Sequence, residues 1–430
     1  MSQDLKIAIA GLGTVGLGVI ELLGQRAALL VERCGRRLTV TAVSSRDRHR
    51  DRGVDLGAMQ WFDDPRVMAA EADVDVVVEL IGGSGGVALD VYNAAFAAGK
   101  PMVTANKAMI AHHGAALAGA AEAAGVSLAY EAAVAGGIPI VKALREGLAG
   151  NRVERVYGIL NGTCNYILSA MSDNGGGFDD ALAEAQRLGY AEADPSFDVD
   201  GIDAAHKIAI LASLAFGTVP NLEGVHTEGI SRITSQDIIY AAELGYRIKL
   251  LGVANMTENG LEQRVHPCMV PQAAQIAQIE GVFNAVVTEG DFVDRTMFCG
   301  RGAGAGPTAS AVVADLVDVA RGHALPTFGV PAGQLRHVQA ASMARHVGAY
   351  YIRLRVIDQP GVMADVTAAL GDARVSVKAL IQHSHDFGDG ASVVLTTHET
   401  GEASMLQALK VIAALDTVLE APCMIRIEQL

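Results

Sequence analysis

A single lysine, Lys207, follows a run of five carboxylates and precedes a long apolar segment. Asp203 stands four residues before it, so on a helix the two side chains share a face, together with Asp200. Because a lysine rarely enters an apolar environment without a partner or a task, this pattern places Lys207 at the edge of the core, paired with acids. A surface ion pair worth about 0.3–0.5 kcal/mol is the alternative interpretation. The five carboxylates are Glu192, Asp194, Asp198, Asp200 and Asp203.

A glycine motif near the start of the chain predicts a nucleotide site. Residues 6–10 have a strand pattern, GLGTVG follows, and residues 17 to about 32 have helical composition. Gly11 permits a tight turn, Gly13 lets the backbone approach a pyrophosphate, and Gly16 lets strand and helix pack closely. The N-terminus of the helix attracts the anion. This order of elements favours dinucleotide binding over a merely tight turn between strand and helix.

The residues after the second predicted strand, Leu38–Val43, bear on the choice of nucleotide. They are Ser44, Ser45, Arg46, Asp47 and Arg48. A site that prefers NAD has an acid at this point for the ribose hydroxyls. The two arginines can instead hold a 2′-phosphate while the serines add hydrogen bonds. A solvated basic turn is the alternative, and the aspartate still offers an acid to the ribose. The pattern therefore predicts NADP(H) in preference to NAD(H).

Apolar strands and helical segments alternate as far as Glu131, which predicts an α/β fold with a doubly wound Rossmann sheet. Ligands lie beyond the carboxyl ends of such strands, where Lys107 and Glu131 fall. A surface lysine at a helix start is the alternative for Lys107. A second glycine run, Gly300–Gly306, leads into a helix that starts near Pro307. It either closes over the cofactor or packs against another helix N-terminus.

Composition narrows the class of protein. The 430 residues suffice for two or three domains, and the net charge of −15 argues against a nucleic-acid or anionic-membrane partner. Five cysteines without a CxxC spacing indicate a reducing compartment and no zinc site. The N-terminus has no signal-peptide pattern, and no apolar run approaches the roughly 18 residues of a membrane helix. A cytoplasmic globular protein is expected.

The tail has a pattern of its own. Strands are predicted at residues 350–358, 375–384, 391–400 and 423–427, and helices at 361–373 and 402–415. That βαββαβ order is the split ferredoxin-like unit, and DQPGVM at Asp358–Met363 resembles the ACT regulatory domain. The predicted organisation is a NAD(P)-binding Rossmann domain at 1–135, an α+β substrate-binding and catalytic domain at 136–305, a helical return segment and connector at 306–345, and the ACT domain at 346–430.

Five motifs stand in order along the chain. They are GLGTVG at Gly11–Gly16, VTANK at Val103–Lys107, NGT at Asn161–Thr163, GYAEADP at Gly189–Pro195 and DGIDAAHK at Asp200–Lys207. Together they resemble the homoserine dehydrogenase family. The resemblance spans about residues 5 to 325 and continues through the tail, as in the monofunctional form with a C-terminal ACT domain. It implies reversible oxidation of L-homoserine to L-aspartate 4-semialdehyde with NAD(P), on the routes to threonine, methionine and isoleucine.

The resemblance also implies roles for single residues. Lys207 would be the acid/base residue and Lys107 its partner beside nicotinamide and substrate, since an ammonium can stabilise and protonate the alkoxide that hydride transfer creates. The expected substrate-binding residues are Gly189, Glu192, Asp203, Asp200, Asn161, Gly162 and Thr163. The expected cofactor-binding residues are Gly11, Gly13, Thr14, Val15, Gly16, Ser45, Arg46, Lys107, Gly302 and Gly304. The expected ligands of a Na⁺ or K⁺ ion are Glu131 and the backbone carbonyls of Val134, Gly136 and Ile138.

The partners expected from the resemblance are a small-molecule substrate, an amino-acid effector at the ACT domain and further copies of the chain, as a dimer or tetramer. Threonine is the expected effector because homoserine lies on the route to it. A purely structural dimerisation unit is the alternative for the tail. Another NAD(P)-dependent aldehyde or amino-acid dehydrogenase, or a non-catalytic nucleotide-sensing regulator, is the alternative for the whole chain. A sensor needs neither Lys207 nor Lys107, so the two lysines favour the enzyme.

Overall fold

The N-terminal domain is built on a parallel sheet, as predicted. The computed structural model describes residues 4–382 and 390–430. The strands of this sheet are β1 (Leu5–Ala10), β2 (Leu38–Ser44), β3 (Gln60–Phe62), β4 (Val76–Glu79), β5 (Met102–Thr104) and β6 (Leu128–Ala129). The helices are α1 (Thr14–Gln25), α2 (Ala27–Cys34), α3 (Pro65–Glu71), α4 (Val87–Ala97) and α5 (Lys107–Ala123). The strands pair in the order β3-β2-β1-β4-β5-β6, all parallel, with a separate apolar core on each face.

Two features of this domain differ from the sequence prediction. The single helix predicted for residues 17–32 is two helices, α1 and α2, which meet at Arg26 with a bend of 79°. Among the described residues no single helix is long and apolar enough to cross a membrane, and only this bent pair reaches that length together. β3 and α3 were not predicted, because a three-residue strand is too short to show a hydrophobic period. Asp64, which caps α3, and Pro65 are the local signals that mark its start.

The second domain combines a mixed sheet with a buried central helix. Its strands are β7 (Val153–Ile159), β8 (Val225–Thr227), β9 (Tyr246–Thr257), β10 (Gly260–Pro271), β11 (Phe283–Gly290) and β12 (Asp294–Arg301). Its helices are α6 (Ile140–Lys142), α7 (Gly162–Asn174), α8 (Phe178–Arg187), α9 (Ser196–Val199), α10 (Ile202–Phe216), α11 (Ser235–Glu243) and α12 (Ala305–Arg321). The NGT motif at Asn161–Thr163 forms the start of α7, whose N-cap is the Asn161 side chain.

α12 returns the chain to the N-terminal domain. Its buried residues, among them Val312 and Leu316, belong to the same apolar core as Ile7 of β1. Its first residue packs against α1, since a Cβ on Gly18 would lie 3.1 Å from the carbonyl oxygen of Ala305. The second glycine run therefore lies beside the first helix of the nucleotide-binding domain, although nearly 300 residues separate them in sequence.

The tail folds as the predicted βαββαβ unit. Its elements are β13 (Val347–Ile357), α13 (Val362–Asp372), β14 (Val377–Gln382), β15 (Gly390–Thr397), β16 (Thr400–Gly401), α14 (Glu402–Ala413) and β17 (Cys423–Ile427). The four main strands are antiparallel in the order β17-β13-β15-β14. The last two residues of the strand predicted at 375–384 lie outside the described residues.

One strand of the tail joins the tail to the catalytic domain. β17 pairs in parallel with β10, Cys268 opposite Arg426 and Met269 opposite Ile427, so the two sheets form one continuous sheet of eleven strands. A second contact fixes the other side of the tail. Asp237 of α11 accepts hydrogen bonds from Tyr351 and Arg353 of β13 at 3.0 and 2.7 Å. The tail is thus docked by backbone pairing and by buried charge, not attached only by a connector.

Candidate active site between the first two domains

Asp203 and Lys207 lie near the start of α10, at the boundary between the two domains. The helix begins at Ile202 after Gly201 has turned the chain in a left-handed conformation, and twelve of its fifteen residues are buried. Lys207 is 8% exposed and Asp203 is 4% exposed. The Lys207 Nζ donates to Asp203 Oδ2 and to the carbonyl oxygen of Leu160, both at 2.7 Å. Such burial excludes the surface ion pair that the sequence left open.

Lys107 reaches the same carboxylate from the other domain. It is the first residue of α5, whose N-cap is the side chain of Asn106. Its Nζ lies 2.9 Å from Asp203 Oδ1, and also lies over the ring of Phe197 at 5.4 Å from the centroid. One carboxylate therefore bridges two ammonium groups, with Lys207 on one oxygen and Lys107 on the other. The side chain of Lys107 is one-third exposed, so solvent can reach it.

The charges around Asp203 fix its ionisation. Burial opposes ionisation, but the charges of Lys207 and Lys107 and the hydrogen bonds from Lys207 and Asn161 hold the pKa of Asp203 well below its usual range. The neighbouring imidazole, that of His206, is instead kept in its uncharged form. Burial and the nearby His112 lower the pKa of His206 to about 4, so this ring is neutral at physiological pH. The cluster thus keeps one permanent negative charge between its two lysines.

Asn161 ties this centre to a second acid. Its amide nitrogen donates to Asp203 Oδ2 and to Asp198 Oδ1, both at 2.8 Å, while its amide oxygen accepts from the Cys164 backbone N–H. Burial and the charge of Asp203 raise the pKa of Asp198. The sequence pointed to Asp198 only as one of five acids, and its hydrogen bond to Asn161 is visible only in three dimensions.

The other expected substrate residues form the rim of the site. Gly189, with φ of 75°, ends α8, and the carbonyl oxygen of the next residue accepts from Thr163 Oγ1 at 2.8 Å. Glu192 is exposed beyond this turn. The predicted common face of Asp200 with Asp203 is wrong, because Asp200 follows α9 and precedes the turn at Gly201. Its carboxylate is exposed while that of Asp203 is buried. Gly162 is the first residue of α7.

The glycine motif has the clearances that a bound pyrophosphate requires. A Cβ on Gly11 would lie 2.5 Å from the carbonyl oxygen of Leu80, and one on Gly16 would lie 2.2 Å from that of Gly11. A Cβ on Gly13 would meet nothing within 4 Å, because it would point into open space. Thr14 and Val15 are the first two residues of α1, and no side chain caps this end of the helix. The N-terminal N–H groups of α1 are therefore free to bind an anion.

A cleft of about 800 Å³ extends from this motif past the end of β2. Ser45 and Arg46 line it, and so do three arginines that the sequence did not single out, Arg50, Arg52 and Arg66. Arg52 donates to Ser45 Oγ at 3.2 Å and lies over the ring of Trp61. The buried hydroxyl of Ser44 also borders the cleft, and no described residue bonds to it. Arg48 is not among the lining residues, while Asp47 is.

A buried glutamate, Glu79, shapes the opposite wall of the cleft. It ends β4 and accepts hydrogen bonds from the N–H groups of Ile81 and Gly82 and from the hydroxyls of Tyr92 and Thr104. The sequence showed it only as a charge in an apolar strand. Because strand ends line the ligand crevice of a doubly wound sheet, Glu79 holds the loop after β4 at the place where a nucleotide is expected.

The second glycine run packs against backbone and does not line the described cleft. A Cβ on Gly136 would lie 2.4 Å from the carbonyl oxygen of Gly302, and the Gly137 N–H donates to the Arg301 carbonyl. Gly304 has φ of 113° and directly precedes α12. The structure thus shows this run packed beside the loop at Gly136 and Gly137. Contact of Gly302 and Gly304 with the cofactor stays a prediction.

Glu131 and the loop after it were the expected cation site. Glu131 is 2% exposed and its carboxylate accepts hydrogen bonds from the N–H groups of Val141 and Lys142 at 2.9 and 2.8 Å. Burial and the neighbouring Asp315 raise the pKa of Glu131 to about 7. Burial likewise raises the pKa of Asp315 to about 6. Two buried acids that resist ionisation mark a place where a cation would be stabilising.

The backbone carbonyls expected at this cation site differ in what they already bind. The Ile138 carbonyl accepts from the Ile140 N–H at 2.8 Å, which leaves one lone pair. Among the described residues, no hydrogen-bond donor is found for the carbonyls of Val134 and Gly136. Carbonyl oxygens with unused lone pairs are the kind of ligand that a hard monovalent cation takes.

Comparisons with known proteins agree along the whole chain. The family profile for homoserine dehydrogenase matches residues 139–317, the profile for the NAD-binding domain of homoserine dehydrogenase matches residues 11–131, and that for the ACT domain matches residues 350–417. Homoserine dehydrogenase of Neisseria gonorrhoeae is 45% identical over 434 residues, which cover 100% of this chain and 99% of the relative. That of Pseudomonas aeruginosa is 45% identical over 439 residues and covers 100% of both chains.

Solved structures give the same result. The crystal structure of a homoserine dehydrogenase from Thiobacillus denitrificans superimposes with a TM-score of 0.93 at 46% identity, over 99% of this chain and 98% of the other. A hyperthermophilic archaeal homoserine dehydrogenase in complex with NADPH matches with a TM-score of 0.63 at 27% identity, over 73% of this chain and 97% of the other.

Proposed function

The chain belongs to the homoserine dehydrogenase family of NAD(P)-dependent oxidoreductases, and we propose that Lys207, Lys107 and Asp203 form its acid/base centre. The carrying observation is the shared carboxylate of Asp203, which holds two ammonium groups, one from each of the first two domains. When bound, the reduced nicotinamide supplies the hydride that converts L-aspartate 4-semialdehyde into L-homoserine. The residues of this chain then have to bind the substrate, hold its carbonyl and deliver a proton.

Lys207 is the proposed proton donor. An ammonium has three N–H donors, and Asp203 and the Leu160 carbonyl take two of them. The third can donate to the aldehyde oxygen, where it stabilises the negative charge that hydride transfer creates and then supplies the proton. Lys107 adds a second positive charge near the same oxygen. In the oxidation of homoserine the proton passes in the reverse direction.

The substrate's own charges match the rim of the site. Its ammonium is suited to the carboxylates of Glu192, Asp198 and Asp200, and its carboxylate to the N-terminus of α7 at Gly162 and Thr163.

Purified protein should therefore form NADPH from NADP only when L-homoserine is added, because only that substrate satisfies both ends of the site. Absorbance of NADPH measures this, with L-serine, one methylene shorter, as the matched control. NADPH formation that is equal with the two amino acids would contradict the proposed substrate.

NADP is proposed as the preferred cofactor. Arg46 is exposed in the cleft near Ser45, and the side chain of Arg52 extends the same positive surface. Replacing Arg46 with Asp should lower the ratio of kcat/KM for NADP to that for NAD by about 10–100-fold, the loss expected for a charge-assisted hydrogen bond. Arg66→Ala is the matched control, because Arg66 lines the same cleft but is engaged by Asp64. Equal kcat/KM values for the two cofactors in the native protein would refute the preference.

A Na⁺ or K⁺ ion is proposed at Glu131 with the carbonyls of Val134, Gly136 and Ile138. Exchanging Na⁺ and K⁺ for tetramethylammonium at equal ionic strength should lower both the Tm and the turnover rate, because a bulky ion cannot relieve the buried negative charge. Glu131→Gln should abolish the difference between the salts. Glu146→Gln, at an exposed position nearby, should retain it. Equal Tm and rate in all salts would contradict the site.

The ACT domain supports a small-molecule effector, and threonine is proposed as that effector because homoserine precedes it on the route from aspartate. Threonine should inhibit the native protein, and unchanged rates with threonine would exclude this role.

The free cysteines of the described chain agree with the proposed cytoplasmic location.

The exposed edge strand β14 is suited to pairing with a second copy in a dimer or tetramer. Light scattering that gives a mass near 44.7 kDa would contradict the oligomer.

A further inference from the structure

One carboxylate, that of Glu79, is shared by two segments that lead to different parts of the site. Glu79 ends β4 and is fully buried. Its Oε1 accepts from the backbone N–H groups of Ile81 and Gly82, at 2.7 and 2.9 Å. Its Oε2 accepts from the hydroxyls of Tyr92 and Thr104, at 2.9 and 3.0 Å. The four donors use the full accepting capacity of the carboxylate and so fix its orientation.

The first segment is the loop after β4, which forms one wall of the cofactor cleft. Leu80 and Ile81 line that cleft. The same turn packs against the glycine motif, since a Cβ on Gly11 would lie 2.5 Å from the Leu80 carbonyl oxygen. Gly82 and Gly83 both have left-handed backbone, with φ of 87° and 85°. The two N–H groups that point at one carboxylate oxygen therefore hold the loop in this shape beside the place where a dinucleotide is expected.

The second segment is the end of β5, which leads into α5 and Lys107. Thr104 is fully buried, and its hydroxyl accepts from the Asn106 backbone N–H at 2.9 Å while it donates to Glu79. The Asn106 side chain is the N-cap of α5. Lys107 is the next residue, so the position of its ammonium beside Asp203 depends on where this cap is held.

A further hydrogen bond closes the two segments into a ring. The Asn106 amide nitrogen donates to the Gly83 carbonyl oxygen at 2.8 Å. Farther along α5, His113 Nε2 lies 2.8 Å from the Ser84 carbonyl oxygen, so the helix holds the loop at a second point. The ring runs from Glu79 through the loop to Asn106 and back along β5. The loop and the start of α5 therefore share one buried anchor.

We propose that Glu79 is a positioning residue that links the cofactor cleft to the ammonium of Lys107. It acts through Thr104 and Asn106, which set the start of α5. In this way it holds the Lys107 Nζ at 2.9 Å from Asp203 Oδ1. One buried group thereby sets both the wall of the cleft and the placement of the lysine. This inference rests on the proposed function, which gives Lys107 a part in proton transfer.

The main test is Thr104→Val, which keeps the shape of the side chain and leaves the Asn106 N–H without its acceptor. The kcat for homoserine oxidation should fall about tenfold or more, while the KM for NADP stays within about threefold of native because Glu79 still holds the loop. Thr104→Ser keeps the hydroxyl and should restore kcat. The matched control is Tyr92→Phe, which removes a hydrogen bond to the same Glu79 oxygen from α4 and should retain native kcat.

Glu79→Gln tests the carboxylate itself. An amide has one acceptor oxygen, so it can accept from only one of the two pairs of donors. Backbone N–H groups cannot accept a hydrogen bond, whereas hydroxyls can, so the amide oxygen should face the loop and the link to Thr104 should weaken. As in Thr104→Val, kcat should fall with a nearly native KM for NADP, and the two changes together should lower kcat little more than either alone. Native kcat in a folded Glu79→Gln variant would overturn the proposal.

A double-mutant cycle with Lys107→Ala separates positioning from a general loss of stability. Lys107→Ala alone should lower kcat about tenfold or more, and adding Thr104→Val should then change kcat by less than about twofold, because the lysine through which Thr104 acts is gone. An equal loss of kcat from Thr104→Val in both backgrounds, or an equal loss in Tyr92→Phe, would overturn the proposal. Native kcat in Lys107→Ala would refute the catalytic assignment on which the proposal rests, so the two failures are distinguishable.

Discussion

Replacing Lys207 with methionine should lower kcat by about 10³-fold or more, equivalent to roughly 4 kcal/mol of transition-state stabilisation. Methionine keeps the apolar stem of the side chain but removes the ammonium that donates toward the substrate. Asp203 would still be paired with Lys107 and Asn161, so its buried charge is not left without partners. The fold and NADPH binding should therefore survive the change.

The matched control for this variant is Lys249→Met. Lys249 is also a buried lysine of the catalytic domain, 3% exposed, but it bonds to Asn165 and the Ile279 carbonyl outside the site. Kinetics, NADPH fluorescence and thermal unfolding should be measured for both variants. Activity of Lys207→Met within tenfold of the native value would reduce Lys207 to a structural residue, and so would an equal loss in Lys249→Met.

The Asp203→Asn variant should lose about 10²–10³-fold in kcat/KM, because a neutral amide cannot hold two ammonium groups. Lys207 and Lys107 would repel each other without the carboxylate between them. Breaking a buried ion pair in this way also costs roughly 3–5 kcal/mol of stability. The expected signature is a lower kcat together with a higher KM, since both the proton donor and the rim around Asn161 depend on this residue.

Asp237→Asn separates this expectation from a general loss of stability. Asp237 is a fully buried carboxylate that binds Arg353 and Tyr351 of the tail, and it is not hydrogen-bonded to Lys107 or Lys207. It should destabilise the protein in denaturant titrations while leaving kcat of the folded fraction nearly unchanged. If both aspartate variants lower kcat equally, or if Asp203→Asn retains native kcat/KM, the bridging role of Asp203 is wrong.

The parts of the fold and site that the sequence predicted are those with a local signal. The glycine motif specifies a turn, a helix start and a backbone approach within six residues, and its clearances are as expected. The spacing of Asp203 and Lys207 puts them on one helical face, since four residues make slightly more than one turn. The tail alternates with periods that are typical of strands and helices, so its βαββαβ order could be read directly.

Most of the parts that were missed depend on contacts between distant segments, whereas the error at Asp200 is local. Asp200 was expected beside Asp203 because the helix seemed to extend back to it, but Gly201 ends that regularity with a left-handed turn. Arg52 of the cofactor cleft lies over the ring of Trp61, a residue of β3 that the sequence did not place there. Neither the bridge from Lys107 to Asp203 nor the hydrogen bond from Asn161 to Asp198 has any trace in sequence spacing.

The docking of the tail is the largest feature without a local signal. A connector before Tyr350 suggests that the tail is a separable unit. On that basis, a chain truncated near His346 would keep its activity. The pairing of β17 with β10 and the buried pair of Arg264 with Glu428 argue against that expectation. Removing the tail would expose the edge of β10 and leave a buried arginine short of a partner. Single substitutions where β17 meets β10 are therefore the sharper way to separate regulation from catalysis.

Chemical rescue of Lys207→Ala is the most direct test of the central claim that an ammonium at this position transfers the proton. Homoserine oxidation with NADP should be nearly absent in this variant and should rise with added methylamine or ethylamine, which can enter the space left by the side chain. The rescued rate should depend on the basicity of the amine. Tetramethylammonium, which has no N–H group, should have no effect. Failure of every primary amine in a folded, NADPH-binding variant, or equal rescue by tetramethylammonium, would contradict the account.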